Sequence, residues 1–232
     1  LVLAVLASSA VVPGCGGGGA TDPATPAPYG TEFDGAGSTD SWLFFNPDDP
    51  NTPPSATVST LWGFDASAAD MPGGAFVSAS TSLNYNNGVD YNVGASSGVA
   101  ISPKIDISAM ASPVLVFKCN YETEETGTSF DQRHVKVGYL DSNMNPVYYA
   151  EEQLSTTPGA AGAGPCQAMG QWHEHVIALD PSWGQVRVAF GFDSIDGAAN
   201  AYHGWFVDDF SILEASAYTP WSGGGTGGAP LL

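Results

Sequence analysis

Residues 114–121 read Val-Leu-Val-Phe-Lys-Cys-Asn-Tyr, and the fold is most readily inferred from this stretch. Successive side chains of a β-strand point to opposite faces. On that geometry one face is apolar and aromatic, and it carries Leu115, Phe117, Cys119 and Tyr121. The opposite face carries Lys118 and Asn120. The alternation predicts a strand that turns one face to the core and the other to a wetter environment.

Stretches of the same kind recur along the chain, separated by Gly, Pro, Asn and Asp. The further candidate strands are 75–80, 98–101, 134–140, 146–151, 172–179, 185–192 and 204–213. No ten-residue stretch has a clean helical period, and 29 Gly and 17 Pro disfavour long helices. Many short strands with such connectors predict an all-β fold, specifically a jelly-roll β-sandwich of two antiparallel sheets.

The charge of the chain excludes one class of partner. Its 232 residues include 24 acidic and 5 basic side chains, which gives a net charge of −19 at pH 7. Such a chain repels phosphate backbones, so we expect no binding of nucleic acid. The acidic excess favours solubility, and it also supplies oxygen ligands for a hard cation such as calcium.

The first residues are typical of a secretion signal. Residues 1–12, LVLAVLASSAVV, are apolar and too short to span a bilayer, which needs about 20 such residues. We interpret residues 1–14 as a signal peptide that begins partway through. Residues 12–15, Val-Pro-Gly-Cys, resemble the bacterial lipobox, although Pro13 departs from it. That resemblance implies lipidation of Cys15; the alternative is an ordinary signal peptide with a cysteine near its cleavage site.

The remaining segments divide the chain by composition. Residues 15–28 contain four consecutive glycines and then TDPATPAP, which predicts a flexible tether. The sandwich domain is predicted over 29–215, and the Gly-rich tail 216–232 is predicted to be disordered. Gly16 rather than Asp follows Cys15, and by analogy with lipoprotein sorting this favours the outer membrane. The predicted location is therefore outside the cytoplasm, on the cell envelope.

The cysteine count supports an exported chain. Setting Cys15 aside as the lipidated residue leaves Cys119 and Cys166. Two cysteines in an exported protein usually pair, so we predict a disulfide between them. The alternative is a pair of buried thiols.

Several segments together resemble a known family. Residues 97–108 (SGVAISPKIDIS), 113–124 (PVLVFKCNYETE), 172–180 (WHEHVIALD) and 200–212 (NAYHGWFVDDFSI) are similar to strands of the MAM-like jelly-roll group. This group includes choice-of-anchor domains and the cleaved adhesin domains of surface proteases. The resemblance covers roughly residues 30–214 and implies a jelly roll that mediates adhesion or recognition, sometimes with calcium. The Pro- and Asp-rich stretch 46–57 departs from the pattern.

Asp208 and Asp209 are the candidate calcium ligands. They lie between Val207 and Phe210 in a predicted strand, where one carboxylate must turn toward the interior. An unpaired buried carboxylate is costly, and calcium would remove that cost. The family resemblance implies that an acidic residue of the first strand shares the ion, here Glu32 or Asp34. The alternative is that Asp208 accepts backbone N–H groups or pairs with Arg187.

Two histidines on one predicted strand also suggest metal binding. His173 and His175 are two residues apart and therefore share a face. Zinc needs a third or fourth ligand, and the sequence shows none at a metal-binding spacing. Packing against neighbouring strands is the favoured interpretation.

Aromatic residues beside Asn- and Gly-rich stretches are the candidate ligand contacts. Sugar rings stack on exposed aromatic faces, and neighbouring amides can bind the hydroxyl groups. The candidates are Trp62, Tyr85, Tyr91 and Tyr202, with Tyr148, Tyr149 and Trp221 in similar contexts. The alternative for each is core packing, which is the preferred interpretation for Trp42, Trp172, Trp183 and Trp205.

No catalytic motif accompanies these features. Residues 94–98, GASSG, match the G-x-S-x-G pattern, but no predicted helix follows them as a nucleophile elbow requires, and the sequence contains no phosphate-binding loop. We therefore predict a non-catalytic, lipid-anchored binding or adhesion module that recognises a glycan or a surface protein. The alternatives are a structural lipoprotein of the envelope and an accessory domain of a secreted hydrolase.

Overall fold

The computed structural model describes residues 22–34, 37–65, 70–78, 80–125, 127–154, 168–223 and 225–226. Within these ranges the regular structure is almost entirely β. The strands are β1 (Thr25–Pro26), β2 (Tyr29–Thr31), β3 (Leu43–Phe45), β4 (Trp62–Asp65), β5 (Ser82–Tyr85), β6 (Ser97–Ile101), β7 (Ile105–Asp106), β8 (Pro113–Glu122), β9 (Gln132–Leu140), β10 (Pro146–Leu154), β11 (His173–Ala178), β12 (Gln185–Asp193), β13 (Gly204–Glu214) and β14 (Gly225–Thr226). Two short 3-10 helices span Pro181–Trp183 and Ala215–Ala217. None of the described helices has the length and apolar character needed to cross a membrane.

The strands form two facing sheets. The first sheet has the strand order β10-β9-β12-β6-β3. The short strand β7 also pairs with β12, and β1 pairs with β7. The second has the order β14-β11-β8-β13-β5-β4, and β2 also pairs β13. All pairs are antiparallel except β1 with β7 and β11 with β14. The central runs β10-β9-β12-β6 and β11-β8-β13-β5 alternate early and late strands as a jelly roll does, which confirms the predicted fold class.

Aromatic rings fill the space between the sheets. Trp42 is 1% exposed and lies 5.5–6.4 Å, centroid to centroid, from Phe33, Phe64, Phe190 and Phe210. These rings come from both sheets and from the connections near the start of the chain. Burial of one such ring removes a large apolar area from water, so this cluster holds the two sheets together.

Strand β8 has the predicted inner face, but its outer face is also covered. Asn120 on the outer face is fully buried, and its Nδ2 donates to the carbonyl groups of Pro72 and Gly74 at 3.0 and 3.2 Å. The cover is the segment 70–78. Its residues Met71 and Ala75 form a second apolar cluster with Trp172 and Phe206.

The prediction of a strand at 75–80 is wrong. The described part of this segment, 75–78 and Ser80, has no strand conformation. Its amides bond to side chains instead of to a neighbouring strand: the N–H groups of Val77 and Ser78 donate to Asp208 at 2.9 and 3.0 Å. The carboxylate of Asp208 therefore accepts the backbone hydrogen bonds that a neighbouring strand would accept if this stretch were a strand.

The folded domain extends beyond the predicted bounds 29–215. Thr25 and Ala27 donate backbone hydrogen bonds to Lys104 and Asp106 at 2.8 and 3.0 Å, so part of the predicted tether lies along the first sheet. At the other end β14 pairs with β11. Residues 1–14, Cys15 and Cys166 lie outside the described residues, so the signal peptide, the lipidation and the disulfide stay predictions.

Gly204 at the start of β13 lies where β13 and β5 approach each other closely. Its φ is +92°, and a Cβ at this position would lie 2.1 Å from the carbonyl oxygen of Tyr85 on β5. Gly88 has a φ of +102° but has nothing within 4 Å of the same point. We expect Gly88→Ala to lower the free energy of unfolding by about 1–2 kcal/mol and Gly204→Ala by about 3 kcal/mol or more, since overpacking is added. Urea denaturation measures both, and equal losses would contradict the close approach of β5 and β13.

Candidate functional site

Three of the four aromatic residues predicted to contact ligand are buried in the core. Trp62 is 5% exposed, and Tyr85 and Tyr91 are 0% exposed. Tyr85 stacks on Phe192 with ring centroids 4.4 Å apart, and the Trp62 Nε1 donates to the Gly98 carbonyl at 3.0 Å. The exposure expected of these three rings is therefore wrong, because Trp62 on β4, Tyr85 on β5 and Tyr91 in the connection that follows β5 all pack into the core between the sheets.

Tyr202 is the remaining member of that set. It is half-buried and packs against the main core from the connection that precedes β13. The four rings therefore do not form one exposed surface, and a site for ligand stacking has to be sought elsewhere.

A group of accessible rings lies at the end of the β9–β10 hairpin. Tyr139 and Tyr149 keep 40% and 43% of their surface exposed. Their ring centroids are 5.4 Å apart, and Tyr149 stacks on Trp183 at 5.2 Å with an angle of 11° between the ring planes. We call Tyr139, Tyr149 and Trp183 the aromatic cluster.

Local backbone features bring these rings together. The register between β9 and β10 shifts between Tyr148 and Ala150, so Tyr149 occupies a β-bulge, and bulges redirect side chains. Trp183 ends the 3-10 helix Pro181–Trp183, which Asp180 caps by accepting from the Ser182 N–H at 2.8 Å. Neighbouring residues on this hairpin, Met144 and Val147, are also exposed and apolar.

A pocket of about 270 Å³ adjoins the aromatic cluster. Lys104, Gln185 and Arg187 are among the residues that line it, and the Lys104 Nζ donates to the Asp22 carbonyl at 2.7 Å. Arg187 is held in place because its guanidinium donates to the carbonyl of Ser102 at 2.5 Å and pairs with Asp22. Two of the five basic residues of the chain therefore border this pocket, in a protein whose net charge is −19.

The sequence contained part of this site. Tyr148 and Tyr149 lie beside polar stretches, and on that ground the sequence made them candidate ligand contacts. The sequence interpretation that placed Trp183 in the core is only partly met, since its ring is half-buried and touches both the core and Tyr149. Nothing in the local pattern indicated that Tyr149 stacks on Trp183, because this contact depends on the tertiary fold.

Asp208 is fully buried, and hydrogen-bond donors occupy its carboxylate. Its Oδ2 accepts from the N–H groups of Val77 and Ser78, and its Oδ1 accepts from the Ser78 hydroxyl at 3.1 Å and the Asp209 N–H at 2.8 Å. A cation at these oxygens would have to displace the donors. The structure therefore matches the alternative interpretation, in which backbone N–H groups satisfy Asp208.

The other three predicted calcium ligands do not join Asp208. Asp209 pairs with Lys118, and the Oδ1 of Asp34 accepts from the Ser80 N–H at 2.8 Å. Glu32 is exposed and lines an open pocket of about 620 Å³ that Asp209 also borders. Among the described residues Asp208, Asp209, Glu32 and Asp34 form no metal-binding group of three, and calcium binding stays a prediction.

The two histidines of β11 gain a neighbour that the sequence did not reveal. Cys119 on β8 lies directly opposite His173 in the strand register, and all three side chains are 0% exposed. One ligand atom from each of Cys119, His173 and His175 lies within 4.8 Å of the others. The expected packing is also present, since His175 stacks on Phe117 at 5.0 Å.

Comparison with known proteins returned solved structures only. No family model matches the chain, and no curated protein does. The chain is similar to the K1 cleaved adhesin domain of Lys-gingipain from Porphyromonas gingivalis, with 15% identity, a TM-score of 0.48 and coverage of 81% of this chain and 98% of that one. It is also similar to a family 22 carbohydrate-binding module of Clostridium thermocellum Xyn10B, with 12% identity, a TM-score of 0.40 and coverage of 82% and 96%. A third is CBM27-1 of Caldicellulosiruptor saccharolyticus in complex with mannohexaose, with 14% identity, a TM-score of 0.37 and coverage of 74% and 89%.

The pH dependence of stability tests the environment of Asp208. Burial raises the pKa of Asp208 to about 6, because it disfavours the charged carboxylate more than the surrounding donors favour it. The pKa of an unfolded Asp is about 3.9, so between these values the folded state binds the proton more tightly. The contribution of Asp208 to the free energy of unfolding therefore falls as the pH rises from about 4 to about 6.

Asp208→Asn removes this titration. As the pH rises across that window, the free energy of unfolding of the wild type should fall by about 2–3 kcal/mol relative to that of the variant, as measured by urea denaturation. Asp180→Asn is the control, since hydrogen bonds from Ser182 lower the pKa of Asp180, and its difference should move in the opposite sense as the pH rises through the acid range. If the wild type instead becomes more stable than Asp208→Asn as the pH rises, the hydrogen-bond donors favour the charged carboxylate by more than burial disfavours it.

Proposed function

We propose that the protein is a non-catalytic, exported binding module that recognises a glycan through the aromatic cluster. The observation that carries the proposal is the contact of Tyr149 with both Tyr139 and Trp183 at a pocket that these rings line together with polar residues. Single exposed apolar residues are common on protein surfaces, whereas a contiguous group of exposed rings is typical of an interaction site.

The chemistry of the cluster suits a sugar. The axial C–H groups of a pyranose pack on aromatic faces, and the ring hydroxyls need donors and acceptors at the rim. Tyr139 and Tyr149 supply accessible ring surface and phenolic hydroxyls. Lys104 and Gln185 lie on the wall of the adjoining pocket and can bind hydroxyl or carboxylate groups of the ligand.

The size of the pocket favours a small ligand unit. Its 270 Å³ is close to the lower bound of ligand pockets, about 300 Å³. A pocket of this size suits a short part of a glycan, whereas a stable protein interface covers about 800 Å² on each partner. A glycan is therefore the partner that the cluster fits best.

Glycan-array binding followed by calorimetry tests the proposal. Tyr139→Ala and Tyr149→Ala should each lower the affinity for the glycan selected on the array by about tenfold, because an aromatic contact contributes about 0.5–1.5 kcal/mol beyond its buried area. Phe76→Ala is the matched control: Phe76 is 36% exposed and belongs to the segment that covers the other sheet, so its removal should leave affinity unchanged.

Two results would refute a glycan site at this position. One is the absence of binding to any glycan on an array that includes neutral and acidic polysaccharides. The other is binding that Tyr139→Ala and Tyr149→Ala leave intact. Thermal melting of each variant confirms that it is folded.

Export and anchoring form a separate part of the proposal, and the sequence of residues 1–28 supports it. Cys15 follows an apolar stretch and precedes a Gly-rich spacer, as the first residue of a lipoprotein does. In a bacterial host, Cys15→Ser should abolish incorporation of a labelled fatty acid and release the protein from the membrane fraction. Cys166→Ser should change neither property. Incorporation that survives Cys15→Ser would show that Cys15 is not the lipidated residue.

A further inference from the structure

Cys119, His173 and His175 bring three side chains with metal affinity to one place inside the sandwich. Cys119 lies on β8 and the histidines lie on the adjacent strand β11. Antiparallel pairing sets His173 opposite Cys119, and His175 opposite Phe117. Residues two apart on a strand share a face, so both imidazoles lie on the same side of the sheet as the sulfur.

The distances suit a common ion. The Cys119 Sγ is 3.2 Å from the His173 Nε2, and the ligand atoms of all three residues lie within 4.8 Å of one another. Metal bonds of about 2.0 Å to nitrogen and 2.3 Å to sulfur set such atoms about 3.5 Å apart. Small side-chain rotations therefore convert the observed arrangement into a coordination shell.

The orientation of His173 also fits a ligand. Its Nδ1 lies 3.0 Å from the carbonyl oxygen of Gln171, and this nitrogen must carry the proton in order to donate to that oxygen. The lone pair is then on Nε2, the atom that faces the sulfur. A backbone carbonyl that fixes the ring and its tautomer is the usual outer partner of a metal-binding histidine.

Burial selects the charge of the ion. Two neutral imidazoles and one thiolate carry a charge of −1, and all three side chains are removed from solvent. A monovalent ion makes the site neutral, whereas a divalent ion leaves a buried positive charge, which is costly. Zinc also requires a fourth ligand, while thiolate and imidazole together suit monovalent copper.

We propose that Cys119, His173 and His175 form a buried binding site for one monovalent copper ion. On binding, the S–H bond of Cys119 breaks and its proton leaves to solvent, the S–Cu bond forms, and no electron is transferred. The predicted disulfide from Cys119 to Cys166 is an alternative use of the same sulfur. The two possibilities exclude each other, and peptide mapping separates them.

Copper(I) titration against a chromophoric chelator tests the site. The full chain carrying Cys15→Ser and Cys166→Ser keeps Cys119 as its single cysteine, since the sequence contains three. We expect one ion per chain in this background. Adding Cys119→Ser, His173→Gln or His175→Gln should weaken binding by more than about 100-fold, the upper range for loss of an outer partner alone. His134→Gln, on the other sheet, is the control and should have no effect.

X-ray absorption of the copper-loaded background chain provides a readout that does not depend on the folding of the variants. One sulfur and two nitrogen neighbours around copper are expected. Four outcomes would overturn the proposal: no copper retained against the chelator, affinity unchanged by Cys119→Ser, zinc bound more tightly than copper(I), or a Cys119–Cys166 disulfide in alkylated, unreduced wild-type protein.

Discussion

The position of β8 between β11 and β13 is the constraint on which the rest of the structure depends. Hydrogen-bonded neighbours on both sides fix the register of this strand, and its two faces lie against the opposite sheet and the segment 70–78. A shift of one residue would exchange its faces, because the side-chain period of a strand is two. Lys118 would then enter the aromatic core, and Cys119 would leave it.

Each chemical feature of the second sheet follows from that register. Pairing with β13 sets Asp208 opposite Lys118 on the outer face, where the segment 70–78 covers it and supplies its donors. The bulge that follows gives Asp209 a φ of +48° and brings it to Lys118. Pairing with β11 on the other side aligns His173 with Cys119. The aromatic cluster on the first sheet is independent of these contacts, so binding at the surface and metal binding in the interior can be separated by mutation.

Alternation along single strands was enough to predict the class of fold and most of its longer strands. Residues 114–121 carry that signal, since their inner positions are apolar or aromatic throughout, whereas a bulge after Asp208 interrupts the alternation of 204–213. The sites were predicted less well because they depend on which strands are neighbours. The pattern around Tyr85 and Tyr91 shows polar residues on either side, yet the fold turns both rings inward. The trio at Cys119 could not be read from spacing, because 54 residues separate the sulfur from His173.

The carboxylate of Asp208 shows a second reason for the difference. A buried acidic residue in a predicted strand indicated correctly that its carboxylate needs a partner. The sequence alone does not distinguish calcium from backbone N–H groups as that partner. The partner is the irregular segment 70–78, which overlaps the predicted strand 75–80 and whose Val77 and Ser78 N–H groups donate to the carboxylate. Local patterns do not contain that choice, since it arises from the packing of residues about 130 positions apart.

Cross-strand NOEs in isotope-labelled protein test the register of β8 most directly. We expect Hα–Hα or N–H to N–H contacts between His173 and Cys119 on one side and between Asp208 and Lys118 on the other. Hα–Hα or N–H to N–H contacts of His173 with Lys118, or of Asp208 with Cys119, in place of the expected ones would show the strand displaced by one residue.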